Sequence, residues 1–486
     1  MVLKIKRADG VMSLRRRRWR WIGGFIAVLV VFLAAMLWHE FDRRAGLYWY
    51  DVQQDYRYCF RDAVVSRLDI PVGTDGFEFP IVEHQWDTAL LELEVSSTLA
   101  GWWFEPAIDI GISDGREARQ HFERGASGVR LVELGISGPQ SIPSDRIVRL
   151  SGRHLRWPSQ TGRLLLFDNR VQSESSLLVL APHPDDAEIA AFGLYSGRDA
   201  HVVTITNGSY SADSYIDIVS DPVRREDLEA RLRVWDSLVV PRWGGLEEKR
   251  AINLGYFTLT LEQMRANPTI PVPNPVSGST DIEPYRSWKR TAGQPQKPAR
   301  PTWESLVDDL STLLREIAPR VIVAPHPVLD AARDHVYTTL ALFEAIERVA
   351  GFDAILLLYT NHHTLSDYYP FGPADSRVGI PPWFDCSVPF GGVLSYPLDE
   401  EQQVVKLFAL DAMHDLRRMP HRELGGPAFR VLERAKRALD ELWRDPAGEH
   451  SYFRRAVRPN ELFFVYSVAN GHAIRRLTSA AQERLP

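Results

Sequence analysis

The sequence predicts an α/β domain with a Rossmann-like, mainly parallel sheet, preceded by a β-sandwich and by an N-terminal transmembrane helix. Three observations carry this. Residues 21–38 (WIGGFIAVLVVFLAAMLW) form an uncharged apolar run. Residues 50–172 alternate short β-prone runs with Gly and Pro clusters, and residues 173–475 alternate strands with helical stretches, the pattern of a parallel sheet with crossover helices.

The run at 21–38 is long enough to cross a hydrocarbon core as a helix and carries tryptophan at both ends, where interfacial aromatics belong. Residues 1–20 are a basic segment, with Lys4, Lys6, Arg7, Arg15, Arg16, Arg17, Arg18 and Arg20, whereas only Arg43 and Arg44 follow closely. The positive-inside rule then places the N-terminus in the cytoplasm and the rest outside it, as a single-pass protein of the inner (cytoplasmic) membrane facing the periplasm. A cleaved signal peptide fits less well, because the run ends in Met36-Leu37-Trp38 without a small-x-small cleavage site.

Of the 486 residues, 45% are hydrophobic and 25% charged, which excludes disorder as the default and allows several full cores. The net charge of −6 argues against a nucleic-acid partner. Cys59 and Cys386 are the only cysteines, so any metal must use His and carboxylate ligands. Because they fall in different predicted domains, the expectation is two independent buried thiols.

In the predicted sandwich (50–172), strands are expected at 89–95 (ALLELEV), 107–112 (AIDIGI), 129–134 (VRLVEL), 146–150 (RIVRL) and 163–167 (RLLLF). Trp86, Trp102, Trp103, Phe104 and Trp157 are candidates either for the core or for stacking on sugar rings. In the predicted α/β domain (173–475), strands are expected at 175–181, 201–206 and 321–324, and helices at 186–195, 224–238 and 303–317. Two further helices, 401–418 and 428–444, read as covering elements. The Pro-rich segment 267–301 reads either as a substrate-contact loop or as a disordered insertion. The aromatic loop 368–373 (YYPFGP) reads either as groove lining or as ordinary surface.

Ligands of open α/β sheets bind beyond the carboxyl ends of strands. His183-Pro184-Asp185-Asp186 stands at such a place, and two adjacent carboxylates beside an imidazole call for a compensating cation or proton. A second segment, Val321 to His326, repeats the form strand-Pro-His and is followed by Asp330 and Asp334-His335. Two imidazoles and a carboxylate leave coordination positions open, as hydrolytic zinc requires, and a spare carboxylate can serve as general base. Turn and cap hydrogen bonds alone, or phosphoryl chemistry on another metal, are the competing readings of these residues.

The stretch Leu180-Ala181-Pro182-His183-Pro184-Asp185-Asp186-Ala187-Glu188-Ile189 resembles the signature of the PIG-L/LmbE-like N-deacetylases, which include the GlcNAc-phosphatidylinositol de-N-acetylase. The likeness continues through Thr206-Asn207-Gly208, Arg224-Arg225-Glu226, Asn253-Leu254-Gly255-Tyr256 and Pro325-His326 to Asp334-His335. It implies that His183, Asp186 and His335 hold one zinc ion, that Asp185 activates water, and that Asn207 and Arg225 lie near the sugar. The same ligand set accepts iron. Two departures stand out: Ala332 replaces the imidazole usual three residues before the last ligand, and Phe257-Thr258 stands where an Asp is usual. His326 is the candidate to supply the missing imidazole if its loop folds back.

The resulting expectation is zinc-dependent N-deacetylation of an N-acetylated amino sugar in an exported glycan or glycolipid. A non-catalytic glycan-binding protein with a degenerate site, and a metal amidase acting on another amide, are the alternatives.

Overall fold

The computed structural model describes residues 24–32, 34–35, 38, 46–60, 65–112, 117–169, 171, 174–210, 215–216, 218–287, 299–388, 390–416, 451–469 and 471–484. Contacts divide the chain into two units, residues 1–50 and 51–486. In the first unit, residues 24–32 are helical, with Phe25, Val28 and Val31 exposed. Residues 21–23, 33, 36 and 37 of the expected span 21–38 lie outside the described residues, and among those described no helix is long and apolar enough to cross a membrane. The expected helix at 428–444 also lies outside them.

Among its described residues the second unit opens with nine strands: β1 (Val65–Val72), β2 (Gly76–Glu78), β3 (Thr88–Ser97), β4 (Ala107–Ile112), β5 (Glu117–His121), β6 (Ser127–Glu133), β7 (Ile147–Arg153), β8 (Leu155–Arg156) and β9 (Gln160–Phe167). One sheet runs β1-β9-β3-β6 with β8 beside β3, and the other β2-β7-β4-β5; every pairing is antiparallel. Each predicted strand of this region is present. Leu91, Leu164 and Leu166 face the opposing sheet with Phe79, Trp86 and Trp157. Their neighbours Leu90, Leu165 and Phe167 face the other way, into the core of the α/β domain. Burial on both faces explains why these strands read as almost unbroken apolar runs. Trp86 and Trp157 are core, whereas Trp102 is exposed.

Seven strands of the described residues follow: β10 (Leu177–Ala181), β11 (Ala200–Thr206), β12 (Ala251–Tyr256), β13 (Val321–Pro325), β14 (Ile355–Tyr359), β15 (Gly392–Pro397) and β16 (Asn460–Ser467), in the order β12-β11-β10-β13-β14-β16-β15. The pairings among β12, β11, β10, β13 and β14 are parallel. The last two strands join antiparallel, which the sequence analysis did not foresee. Among the described residues antiparallel strand pairs are therefore the majority, and the parallel strand pairs involve only these five strands. Alternate residues of β10 and β13 enter different cores: Leu178, Leu180, Ile322 and Ala324 on one face, and Leu177, Val179, Val321 and Val323 on the other. The strand order reverses direction at β10 and β13, so a crevice opens beyond their carboxyl ends.

Helices form where their caps and stripes allow. Asp221 accepts from Arg224 N at 2.8 Å and Pro222 opens the helix Pro222–Val239. Thr302 caps Trp303–Ile317, which ends at Ala318 in the left-handed region. The helix Glu400–Ala412 carries a capping box at Asp399 and Gln402, and ends before the expected residue 418. The helix Gly471–Arg484 adds Ile474 and Leu477 to the α/β core.

One expectation is corrected and another is narrowed. Cys59 and Cys386 form a disulfide, with Cα atoms 5.3 Å apart. Residues 56–60 do not belong to the sandwich alone but lie along the α/β domain: Arg57 N donates to Trp383 O at 2.7 Å, and Phe390 N donates to Cys59 O at 3.0 Å. The aromatic loop is not ordinary surface, and its Tyr369 and Pro370 line a cavity together with Asn361 and Ile189. Tyr368, Tyr369 and Phe371 are buried, with Arg454 and Arg458 donating to the carbonyls of Tyr368, Phe371 and Gly372. Glu105 of the sandwich accepts from Gly372 N at 3.0 Å, which makes the loop a wedge between sandwich and sheet.

The described part of the Pro-rich segment is packed. Ile282 is fully buried, and Asn274 Nδ2 donates to Glu226 Oε1 at 2.6 Å on the Pro222–Val239 helix. Residues 288–298 lie outside the described residues.

Candidate metal centre

Strand β10 delivers His183 to the crevice, and the helix Asp186–Tyr195 begins immediately after it, so the turn holds ligands at both its ends. The backbone N–H of His183 donates to Asp186 Oδ2 at 2.9 Å, which fixes the carboxylate under the turn. Asn361, beyond β14, donates to Asp186 Oδ1 at 2.8 Å. The helix Arg333–Glu347 brings His335 from beyond β13.

These side chains converge. One ligand atom from each of His183, Asp186 and His335 can be chosen so that all lie within 4.8 Å of one another. Asp186 Oδ2 is 3.2 Å from His183 Nδ1 and 3.1 Å from His335 Nε2, and those two nitrogens are 3.3 Å apart. The far nitrogen of each ring meets another carboxylate. His183 Nε2 is 3.2 Å from Asp334 Oδ2, and His335 Nδ1 is 3.1 Å from Asp330 Oδ2. Carboxylate-backed imidazoles aiming their other nitrogen at one point are the arrangement of metal-ligating histidines, so these residues fit a divalent ion.

The electrostatics agree with that fit. Burial alone would pull His183 down, but Asp186 and Asp334 outweigh it and hold it up at about 9. His335 is likewise lowered by burial yet driven well above its ordinary value by Asp186 and Asp330. Burial pushes Asp186 up, and the two imidazoles reverse this and hold it well below the carboxylate range. The pocket thus favours positive charge at the point where a cation would sit.

Asp185 points elsewhere. Its Oδ1 is 3.2 Å from Arg233 Nη2, which also lies 2.6 Å from Asp415 Oδ2. Arg233 Nη1 donates to Gly208 O as well. Burial and Asp415 push Asp185 well above its usual range, while Arg233 opposes them. Gly208, with φ of +76°, lets the loop after β11 close on this corner: a Cβ there would lie 2.5 Å from Pro184 Cδ and 3.0 Å from Arg233 Nε. On the opposite side Leu259, held at φ +62°, donates its N–H to Asp334 Oδ2 at 2.7 Å. A leucine in the left-handed region is backbone strain stored against the carboxylate that backs His183.

The remaining predicted site residues fall as follows. Asn207 is fully buried in the turn after β11; its Oδ1 accepts from Ser209 N at 3.3 Å and Thr258 Oγ1 at 3.2 Å, and its Nδ2 has no acceptor among the described residues. Arg225 Nη1 donates to the carbonyls of Val219 and Ser220, closing the loop before its own helix. His326 is not brought to the cluster. Its Nδ1 accepts from Val328 N and Leu329 N at 3.2 Å each, its Nε2 lies 3.1 Å from Tyr466 Oη, and burial lowers it to about 3. That neutral, fully buried ring caps a turn.

Sequence reasoning missed Arg233, Asp415 and His362. His362 is partly exposed, its ring centroid 5.1 Å from that of His335. For Arg233 the signal was present: Glu229, Arg233, Asp236 and Ser237 recur at helical spacing and form a buried polar stripe.

Residues 178–346 match the PIG-L family model, described as GlcNAc-PI de-N-acetylase. Among solved structures, the zinc-inhibited form of teicoplanin deacetylase Orf2 is 14% identical, with 60% of this chain and 98% of that chain covered and a TM-score of 0.31. The A40926 pseudoaglycone deacetylase Dbv21 is 17% identical over 60% and 98%, with a TM-score of 0.30. GalB, the 4-carboxy-2-hydroxymuconate hydratase of Pseudomonas putida, is 14% identical over 60% and 96%, with a TM-score of 0.27. A search of curated proteins finds no match. The signature around His183, the cluster it forms with Asp186 and His335, and the matched span together identify residues 178–346 as a PIG-L domain.

Proposed function

We propose that the protein is a metal-dependent N-deacetylase that hydrolyses the N-acetyl group of an amino sugar, releasing acetate and leaving a free amine. The observation that carries this is the convergence of His183, Asp186 and His335 with a second carboxylate, Asp185, directly beside them and turned to a different partner. A site that only bound metal would have no use for that carboxylate. When bound, a zinc or iron ion there supplies Lewis acidity that polarises an amide carbonyl and acidifies water.

The chain's own residues do the rest. Asp330 and Asp334 fix the ring orientations of His335 and His183. Asp185, held by Arg233, accepts the proton of the attacking water as general base. The amide carbon gains the water oxygen, the C–N bond breaks, and the amine leaves with a proton. Asn207 and Arg225 are proposed to stand near the sugar, Asn207 through its unmatched Nδ2.

We place this activity outside the cytoplasm, on a protein anchored in the inner membrane by residues 21–38. The basic segment before that run supports the orientation, and the Cys59–Cys386 disulfide supports an oxidising compartment. The substrate is then a glycan or glycolipid of the cell envelope. Acetate release from acetylated glucosamine oligomers, lost in Asp185→Asn, tests the activity; release from a peptide or lipid amide instead would make the enzyme an amidase. Alkaline phosphatase fused after residue 50 is expected to be active, and an inactive fusion would contradict the topology.

A further inference from the structure

We propose that His362 is a catalytic residue of this site, donating a ring N–H to the acetyl carbonyl oxygen as that oxygen gains negative charge; this rests on the deacetylase reading. Four observations support it, none of which depends on the charge of the imidazole.

The first is position. His362 packs its ring edge-to-face on the ligand His335 at 5.1 Å between centroids, and its side chain is 29% exposed whereas that of His335 is fully buried. It therefore borders the cluster from the solvent side, where a substrate must arrive.

The second is how the backbone puts it there. Asp330 Oδ2, which backs His335 Nδ1, also accepts from Asn361 N at 2.9 Å and from His362 N at 3.3 Å. Ala331 N in turn donates to His362 O at 2.7 Å. One carboxylate thus sets both the ligand ring and the segment that carries His362.

The third is the absence of a competing side chain. Ala332, the N-cap of the ligand helix, donates its N–H to Asp330 Oδ1 at 3.0 Å, makes no side-chain cap bond and offers only a methyl group. It supplies no side-chain donor at this helix end, whereas His362, carried from beyond β14 by the same Asp330, brings one.

The fourth is orientation of the ring. Tyr452 Oη lies 3.3 Å from His362 Nε2 and 3.5 Å from Nδ1, and Asp367 Oδ1 lies 4.0 Å from Nδ1. A partly exposed imidazole with a phenol oxygen near both its nitrogens and a carboxylate near Nδ1 is held, not loose. A neutral imidazole and an imidazolium both donate N–H, so stabilising an oxyanion asks only that the ring be present and aimed.

The test uses the zinc-loaded full chain and two variants, His362→Ala and His362→Gln, the second retaining an N–H donor. With acetylated glucosamine oligomers, His362→Ala is expected to lose about 100-fold in kcat with KM changed less than about threefold, as for removal of one oxyanion donor. His362→Gln is expected to recover at least about tenfold of that loss. Zinc stoichiometry stays at one in both variants. Methylphosphonate, a tetrahedral anion the size of the hydrated acetyl group, is expected by calorimetry to bind about tenfold more weakly to His362→Ala than to the wild type, and close to normally to His362→Gln.

A His362→Ala enzyme with kcat within threefold of wild type overturns the proposal, as does a loss of activity that tracks a loss of zinc. Wild-type protein that releases no more acetate than Asp185→Asn overturns the deacetylase reading itself, and this proposal with it.

Discussion

Arg233 Nη2 bridges Asp185 and Asp415, at 3.2 Å and 2.6 Å, so the residue assigned as general base is held by a guanidinium that the C-terminal part of the chain holds in turn. Removing the arginine leaves the buried Asp185 without its countercharge and close to the more exposed Asp415. Arg233→Met is expected to destabilise the protein by about 3–5 kcal/mol in urea denaturation. Asp415→Asn is expected to cost less and to lower kcat by about tenfold with zinc content unchanged, because Asp185 then shares Arg233 with no competitor and shifts its orientation. An Asp415→Asn enzyme of normal kcat would show that the bridge serves stability alone.

The carboxylates behind the ligand rings give a second prediction. Asp330→Asn, at 3.1 Å from His335 Nδ1, is expected to weaken zinc affinity by about 10- to 100-fold, and Asp186→Ala to abolish stoichiometric zinc. Competition with a chelator of known affinity measures both.

Much of this centre was legible in the sequence. A buried-type strand, a Pro-stiffened turn and a run of small residues placed His183, Asp185 and Asp186, and the second strand-Pro-His segment led to His335. The same pattern misled at His326, because a His after a strand end can turn inward and cap its own loop, as its bonds from Val328 N and Leu329 N show. Arg225 was named through its motif position, whereas Arg233 is marked out by the buried polar stripe of its helix. His362 and the disulfide depend on which distant segments dock together, information that local periodicity does not carry. The parallel half of the sheet was readable from its strand–helix alternation, whereas β15 follows β14 with no intervening helix among the described residues and pairs antiparallel with β16.

Glu188 carries a pH dependence. Burial holds it up at about 8 against an ordinary 4.5, although Tyr195 Oη donates to it at 2.7 Å. The folded state therefore binds a proton that the unfolded state has lost. The stability this contributes is fully present below about pH 4.5 and is lost as pH rises to about 8. Glu188→Gln keeps the acceptor for Tyr195 without the charge. Its melting temperature is expected to exceed wild type clearly at pH 8 and little at pH 5; an equal difference at both would contradict the assignment.

The disulfide joins residues 327 apart in sequence. Replacing both Cys59 and Cys386 by Ser is expected to lower stability by about 2–5 kcal/mol. Reductant should lower wild-type stability by a similar amount and leave the double variant unchanged, as followed by urea denaturation.

The most direct test of the account is acetate release by the zinc-loaded protein from a panel of N-acetylated envelope glycans, with Asp185→Asn and His335→Ala as controls. The account predicts acetate and free amine in equal amounts from at least one member of the panel. It further predicts that Asp185→Asn keeps zinc and loses release, and that His335→Ala loses both. Release that persists in Asp185→Asn, or a wild-type protein that takes up no stoichiometric metal, would contradict it.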